Sequence, residues 1–240
     1  MNLIKSTLPI VAASLLSCAT FFVAAHAATV TTGCVSATTC TLTELYNGGT
    51  ITVDDVLFDN FILDDDASAS PVNADDVVVS GFTDMGNTGL EFNIDPALTV
   101  NINRSFLEYI LSFDAAVVAP SLREITSAGL NLVNGGINGD AFLEINAEIN
   151  GDVLNVFHDS INGAQLLDSL TLANLTMISV AMDWQGEDFD GQSSSFLNTF
   201  RFGLGLIGDI PVAEVPLPAA LPFMVTGLLG YGATRRKKRS

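Results

Sequence analysis

The chain has 240 residues and a formal charge of −18 at pH 7, with 27 acidic residues against nine lysines and arginines. The central part, residues 28–214, contains all 27 acids but only Arg104, Arg123 and Arg201, so its formal charge is −24. A surface this acidic repels nucleic acid and anionic lipid, which excludes nucleic acid as a partner, and the length suffices for one domain with a core.

The first 27 residues have the pattern of a secretory signal peptide. Lys5 precedes an apolar stretch from Leu8 to Ala25, and Ala25-His26-Ala27 is a cleavage site for signal peptidase. The sequence Leu15-Leu16-Ser17-Cys18 offers the alternative of a lipobox in which Cys18 is acylated. The apolar stretch continues past Cys18, which favours ordinary cleavage after Ala27 and export.

Two cysteines remain after such cleavage. Cys34 and Cys40 form an even pair in an oxidising compartment, so we expect a disulfide rather than a metal site. The only histidine in this part of the chain is His158, which we interpret as a partly buried or surface residue rather than a catalytic one.

Strict alternation of apolar and polar residues dominates residues 28–210. It is clearest in Gly89–Asp95, in Asp140–Ile149 and in Phe200–Leu206, where one polar face indicates half-buried antiparallel strands. The sequence therefore predicts an all-β ectodomain, an antiparallel β-sandwich of the jelly-roll or immunoglobulin-like type.

Asn-Gly dipeptides mark the expected turns. They begin at Asn47, Asn134, Asn138, Asn150 and Asn162. Three belong to Ile-Asn-Gly triplets that start at Ile137, Ile149 and Ile161, a regular spacing that predicts a β-meander, with a β-solenoid as the alternative. Only Val118–Ala128 and Ala164–Leu175 have some helical character, and the second is compatible with either a helix or a strand.

Acidic residues are concentrated at Asp54-Asp55, Asp64–Asp66 and Asp75-Asp76. Adjacent carboxylates suit calcium, whereas a solvated acidic surface is the default interpretation. We expect no other cofactor. A further candidate for contact with a glycan or calcium surrounds the only tryptophan: Asp183, Trp184, Glu187, Asp188 and Asp190. The competing interpretation of Trp184 is a core aromatic followed by an acidic loop, which its size favours.

The last 30 residues, 211–240, form a three-part tail. Val215, Pro216, Leu217, Pro218 and Ala219 are followed by an apolar stretch that reaches Ala233 and then by the basic residues Arg235, Arg236, Lys237, Lys238 and Arg239. The stretch is just long enough for one transmembrane helix in membrane lipid, and the cations favour a cytoplasmic end.

This tail resembles the PEP-CTERM sorting domain of bacteria in its VPLPA variant. Gly48–Phe58 is also similar to a segment near the mature N-terminus of many PEP-CTERM cargo proteins. The resemblance implies recognition by an exosortase-type membrane protease, brief residence in the inner membrane, and delivery to the cell surface or the exterior. It also implies contact with exopolysaccharide and biofilm matrix.

The motifs of the common enzyme classes do not occur: there is no G-x-S-x-G elbow, H-E-x-x-H, Walker loop or Rossmann fingerprint. Together with what the resemblance of the tail implies, this predicts a non-enzymatic, secreted protein of the cell envelope or extracellular matrix. The alternative is an extracellular polysaccharide hydrolase built on a β-sandwich. A catalytic pair of carboxylates is recognised by the distance between the two carboxyl groups, which a sequence with 27 acids does not reveal.

Overall fold

The computed structural model describes residues 29–101 and 105–208 of the chain. Three of the features predicted above lie outside the described residues. They are the signal peptide with Cys18, the single residue Arg104, and the tail with its motif (215–219), apolar stretch and basic cluster (235–239). Within the described ranges, none of the helices has the length and apolarity that crossing a membrane requires.

Strands make up most of the described chain. In order they are β1 (Thr29–Thr32), β2 (Thr39–Thr41), β3 (Thr50–Val53), β4 (Val56–Asp66), β5 (Val77–Asp84), β6 (Asn87–Val100), β7 (Phe106–Val117), β8 (Glu124–Asn138), β9 (Ala141–Ile149), β10 (Asp152–Asp159), β11 (Gly163–Gln165), β12 (Leu167–Leu175), β13 (Met177–Asp188) and β14 (Ser194–Ile207). One short helix, α1 (Leu42–Tyr46), and a 3₁₀ turn (Ala74–Asp76) interrupt them.

The strands form two antiparallel sheets that pack face to face. The eight-stranded sheet has the order β1-β3-β4-β7-β13-β9-β10-β11, and the six-stranded sheet has the order β12-β8-β14-β6-β5-β2. This arrangement confirms the predicted all-β sandwich. Its sheets hold more strands than the roughly seven to nine of an immunoglobulin domain.

The core lies between the inner faces of the two sheets. Along β7, Leu107, Tyr109, Leu111 and Phe113 are buried while the residues between them face outward. This is the period-two pattern of a strand with one apolar face. The rings of Phe92 and Phe200, one from each of two neighbouring strands, stack with their centroids 4.6 Å apart at the centre of the core.

The Asn-Gly dipeptides have three different structural roles. Asn150 and Gly151 join β9 to β10 with φ values of 55° and 89°, the geometry of a primed hairpin turn. Strands β9, β10 and β11 are successive antiparallel neighbours, so the predicted meander exists from β9 to β11. The prediction is wrong at Asn138-Gly139, where the chain crosses from the six-stranded to the eight-stranded sheet.

Asn162-Gly163 lies at the turn between β10 and β11, where Asp159 pairs with Gly163. The other two dipeptides are not hairpin turns. Asn134-Gly135 lies inside β8 beside a register shift against β14, and Asn47-Gly48 follows the end of α1. Ala164–Leu175 forms strands β11 and β12 rather than a helix. The helix that does form, α1, begins at a capping box in which Thr41 and Glu44 each bind the other's backbone N–H, a signal readable from Thr-x-x-Glu.

Both ends of the described domain lie at the same end of the sandwich. Thr29 pairs with Val53, which is followed directly by the turn at Asp54 and Asp55, and Ile207 pairs with Glu124. Arg123 connects the two places through ion pairs to both aspartates. We call this the terminal end, and we call the opposite end, which carries the loop from residue 189 to 193, the far end.

Candidate functional site

A polar and aromatic surface covers the outer face of the eight-stranded sheet toward the far end. Strand register places its side chains in two neighbouring rows across β7, β13, β9 and β10. The first row consists of Phe106, Glu187, Phe142 and Asp159, and the second of Glu108, Gln185, Glu144 and Phe157. We call these eight residues the aromatic–acidic face.

The phenylalanines of this face separate two shallow clefts. Phe142 lies between them, and the ring of Phe189 from the following loop stacks against it with centroids 5.6 Å apart. One cleft, of about 370 Å³, contains Phe106 and Glu108, and the other, of about 230 Å³, contains Phe157. Phe106 and Phe189 are 38% and 51% exposed, so these rings offer apolar surface to a ligand.

Amide side chains hold the carboxylates of the face in place. The Nδ2 amide of Asn155 donates to Glu144 and, at 2.7 Å, to the Oδ1 atom of Asn146. The Nε2 amide of Gln185 donates to Asp183, which lies one row away on the same strand. Oriented carboxylates and amides next to exposed rings can accept and donate hydrogen bonds to a polyhydroxylated ligand.

Asp183 is an acid of this surface whose environment disfavours its ionised form. Its pKa is raised, first by burial and then by the neighbouring charges of Glu108 and Glu144, while the hydrogen bond from Gln185 opposes the shift. Its Oδ1 atom is buried and has no hydrogen-bond partner among the described residues. A carboxylic acid with a raised pKa between two other carboxylates is typical of acid–base sites and also of crowded acidic surfaces.

Trp184, predicted as a candidate glycan contact, lies on the opposite side of β13 from Asp183. It is fully buried, and its ring stacks on Tyr109 at 4.9 Å and meets Phe200 edge-on at 5.1 Å. The assignment of Trp184 to a glycan is therefore corrected: period-two alternation points this ring into the core, as the competing interpretation held.

Asp188 and Asp190 organise the loop at the far end. The Oδ1 atom of Asp188 accepts the backbone N–H of Gly191 at 3.0 Å, and Asp190 accepts those of Gln192 and Ser193 at 2.8 Å. These hydrogen bonds lower the pKa of Asp190. Both carboxylates therefore stabilise the loop, and Glu187 alone of the predicted acids belongs to the aromatic–acidic face.

Cys34 and Cys40 form the expected disulfide, with their Cα atoms 5.3 Å apart. Among the described residues they are also the only close grouping of three potential metal ligands, together with Glu44. The sulfurs are oxidised and Glu44 caps α1, so this grouping fits a structural role and not a metal centre.

His158 is half-buried near the end of β10. In the described part of the chain, neither a serine hydroxyl nor a carboxylate forms a hydrogen bond with its ring, so the geometry offers no Ser-His-Asp arrangement.

Sequence reasoning did not identify most residues of the aromatic–acidic face. Glu144 lies in the clear alternation of Asp140–Ile149, so its outward direction was readable from the sequence. Gln185, beside it, and Glu108, one strand farther, are 41 and 36 residues away in the chain, and only strand pairing brings the three into one row.

No protein-family model and no curated relative matches the chain. Two solved structures show limited similarity. TmCBM61 in complex with β-1,4-galactotriose has a TM-score of 0.26 and 12% identity, over 60% of this chain and 86% of that one. Endoglucanase 3 of Trichoderma harzianum, from family GH12, has a TM-score of 0.21 and 8% identity, over 61% and 97%. At these TM-scores neither structure bears on the function of this chain.

Proposed function

We propose that the chain is the precursor of a non-enzymatic, secreted protein of the cell envelope or extracellular matrix that binds exopolysaccharide through the aromatic–acidic face. The observation that carries this proposal is the pair of rows across four strands: phenylalanines and carboxylates alternate in the first row, and the second holds two glutamates, one amide and the half-buried Phe157. Rings can pack against the C–H faces of sugars, and the polar groups between them can bind hydroxyls.

The charge of this face selects the class of glycan. It carries four carboxylates, from Glu108, Glu144, Asp159 and Glu187, and neither of the described arginines belongs to it. Acidic polysaccharides would be repelled. The proposed ligand is therefore a neutral polysaccharide.

Sorting by an exosortase-type protease rests on the tail, residues 215–239, which resembles the PEP-CTERM domain. The terminal end supports this proposal, because Ile207, the last residue of β14 before the tail, lies there next to Arg123. A domain tethered by this tail would hold the terminal end toward the membrane and the aromatic–acidic face farther out.

The glycan proposal is tested by replacing rings of the face. Phe142→Ala and Phe157→Ala should each weaken binding to a neutral polysaccharide at least tenfold in affinity electrophoresis. Phe196→Ala is the matched control, because Phe196 is 40% exposed on a strand of the other sheet. Unchanged mobility of both face variants, or equal loss in the control, would contradict the proposal.

The sorting proposal is tested on the full-length chain in a host that has an exosortase. Intact-mass analysis of the surface form should show that residues 235–239 have been removed. Replacing Pro216 and Pro218 by alanine should leave an uncleaved precursor in the inner membrane. A complete tail on protein at the surface would overturn this part of the proposal.

One observation favours a second candidate, a polysaccharide hydrolase. The Cα atoms of Glu108 and Glu144 lie two strands apart, about 10 Å, and Asp183 is the diagonal neighbour of each, with Cα atoms roughly 7–8 Å apart. At these backbone spacings the carboxyl groups can come within the range that glycosidases use. Inverting glycosidases need carboxyl groups roughly 6.5–9.5 Å apart, one of them with a raised pKa. Release of reducing sugar that is abolished by Glu108→Gln, Glu144→Gln or Asp183→Asn would establish the hydrolase. Binding without any release would support the non-enzymatic function.

A further inference from the structure

A second cavity lies on the outer face of the other sheet. Its volume is about 290 Å³, and it crosses the strands between the β5–β6 hairpin and β12. We call it the transverse groove, and its principal lining residues are Phe82, Asn87, Ser127, Gly129, Asn131 and Arg201.

The shape of the groove follows from strand register. Ser169, Gly129 and Gly203 are direct cross-strand partners on β12, β8 and β14, so two adjacent positions in this row have no side chain. A Cβ atom at Gly129 would lie 3.5 Å from the carbonyl oxygen of Asp168, an ordinary contact, and Gly129 has no positive φ. Packing and backbone conformation therefore do not require glycine there, whereas close approach of a ligand would.

Arg201 and Phe82 form one end of the groove. The Nε atom of Arg201 donates to Glu91 at 2.6 Å, and the guanidinium carbon lies 5.1 Å from the centroid of the Phe82 ring. The ion pair fixes the guanidinium group but leaves its two terminal nitrogens without a protein partner among the described residues. These nitrogens present four N–H donors in a fixed plane beside an aromatic ring.

The other polar groups of the groove have no partner in the described chain either. The side-chain amides of Asn87 and Asn131 and the hydroxyl of Ser127 form no hydrogen bond within residues 29–101 and 105–208. By contrast, Asp168 is engaged, because its Oδ2 atom accepts the backbone N–H of Asn155 at 2.9 Å. The groove therefore combines free donors and acceptors with one ring.

The charge of the groove excludes an anionic ligand. Glu91 neutralises Arg201, and Asp84 adds a further negative charge, whereas the carboxylate of Asp168 is turned toward β10 of the other sheet. A ligand that is neutral, donates and accepts hydrogen bonds, and has an apolar face is a sugar ring, and the volume is near the lower end for small-ligand pockets.

We propose that the transverse groove is a second binding site for a neutral sugar unit, so that the domain binds polysaccharide on both faces of the sandwich and cross-links two chains. The class of ligand rests on the proposed function, whereas the site itself rests on the groove. The two sites lie on opposite sheets, so a single protein can bind one polysaccharide chain at each face. It would thereby link the two polysaccharide chains.

Gly129→Val tests the site with little risk to the fold. The new side chain fills the floor of the groove without removing a hydrogen bond, and valine favours strands more than glycine does. Ala173→Val is the matched control, since Ala173 is exposed on β12 outside the groove. Asn131→Ala is the second variant and removes one free amide from the groove. It tests the site if Gly129→Val lowers the melting temperature.

The experiment uses the full-length chain in a detergent without a sugar headgroup and three neutral polysaccharides, a glucan, a galactan and a mannan. With the polysaccharide that binds, the wild type and Ala173→Val should both cross-link it into a turbid network. Gly129→Val and Asn131→Ala should still bind but lose the turbidity, with half as many oligosaccharides bound per chain.

The outcomes separate the two proposals. Turbidity and stoichiometry that both groove variants retain would overturn the second site and leave the aromatic–acidic face intact. Loss of all binding in Phe142→Ala would also overturn the second site, because binding at the groove should remain. Failure of the wild type to bind any of the three polysaccharides would overturn the second site and the proposed function together.

Discussion

The guanidinium group of Arg123 lies 2.9 Å from the carboxylate of Asp55 and thereby joins the two places where the described chain begins and ends. Asp55 follows the strand that pairs with Thr29, and Arg123 precedes the residue that pairs with Ile207. The side chain of Arg123 is only 11% exposed, so this pair is less screened than a surface ion pair.

Arg123→Ala should therefore destabilise the domain by about 1–3 kcal/mol, because it leaves the partly buried carboxylate of Asp55 without its cation and with only the hydroxyl of Ser121 as a partner. Denaturant unfolding measures the difference, and the effect should persist at high salt. Arg123→Lys, which keeps the positive charge, should lose less of the free energy of unfolding than Arg123→Ala does. A change below about 0.5 kcal/mol would show that the pair acts only as a surface contact.

The fluorescence of Trp184 should report a fully buried indole. It is the only tryptophan, and its ring packs on Tyr109 and Phe200 in the core. We expect blue-shifted emission that acrylamide quenches poorly until the protein unfolds. Saturation with a polysaccharide should leave the emission unchanged, whereas strong quenching in the native state would contradict the position of Trp184.

Asp183→Asn should stabilise the domain at neutral pH. Burial and neighbouring carboxylates raise the folded-state pKa of Asp183 above the unfolded value of about 3.9, so the ionised acid costs stability at neutral pH. The native state then binds more protons than the unfolded state between the two pKa values, and stability rises as the pH falls through this window.

The gain from Asp183→Asn should therefore disappear below about pH 3.9, where the aspartate is protonated in both states. Melting temperatures across the acidic range measure this. Glu187→Gln, an exposed carboxylate on the same strand, is the control and should change little. An equal gain at all pH values would exclude ionisation of Asp183 as the cause.

Replacing Asn150-Gly151 by Val-Val should damage the β9–β10 hairpin. Both positions have positive φ, which costs roughly 1–2 kcal/mol per residue for ordinary side chains and more for β-branched ones. Circular dichroism and thermal unfolding measure the loss. Asn150→Gly keeps the conformation accessible and should fold normally, and wild-type stability of the Val-Val variant would refute the turn assignment.

Calcium and magnesium should raise the melting temperature equally at the same ionic strength. Asp188 and Asp190 bind the N–H groups of their own loop, and no three carboxylates converge within the described residues. Screening of a domain with charge −24 is then the main effect. A response to calcium alone would reveal a specific site, since calcium takes more ligands and irregular geometry.

The sequence by itself determined the strand content and the direction of most side chains. Alternation in Asp140–Ile149 fixed which residues face inward, and Asn150-Gly151 fixed one hairpin, because both signals depend only on neighbouring residues. The disulfide between Cys34 and Cys40 followed from the even pair of cysteines that the predicted signal-peptide cleavage leaves and from the expectation of export.

Only the tertiary structure decided which strands are neighbours. Ile-Asn-Gly-Asp occurs both at the crossing, Asn138-Gly139, and at the hairpin, Asn150-Gly151. The two differ in whether the next strand pairs in the same sheet or in the other one. The same pairing places Glu108, Gln185 and Glu144 in one row and Gly129 beside Gly203, although long stretches of sequence separate them. Non-local register is set by packing of whole sheets, so no local pattern could have revealed either surface.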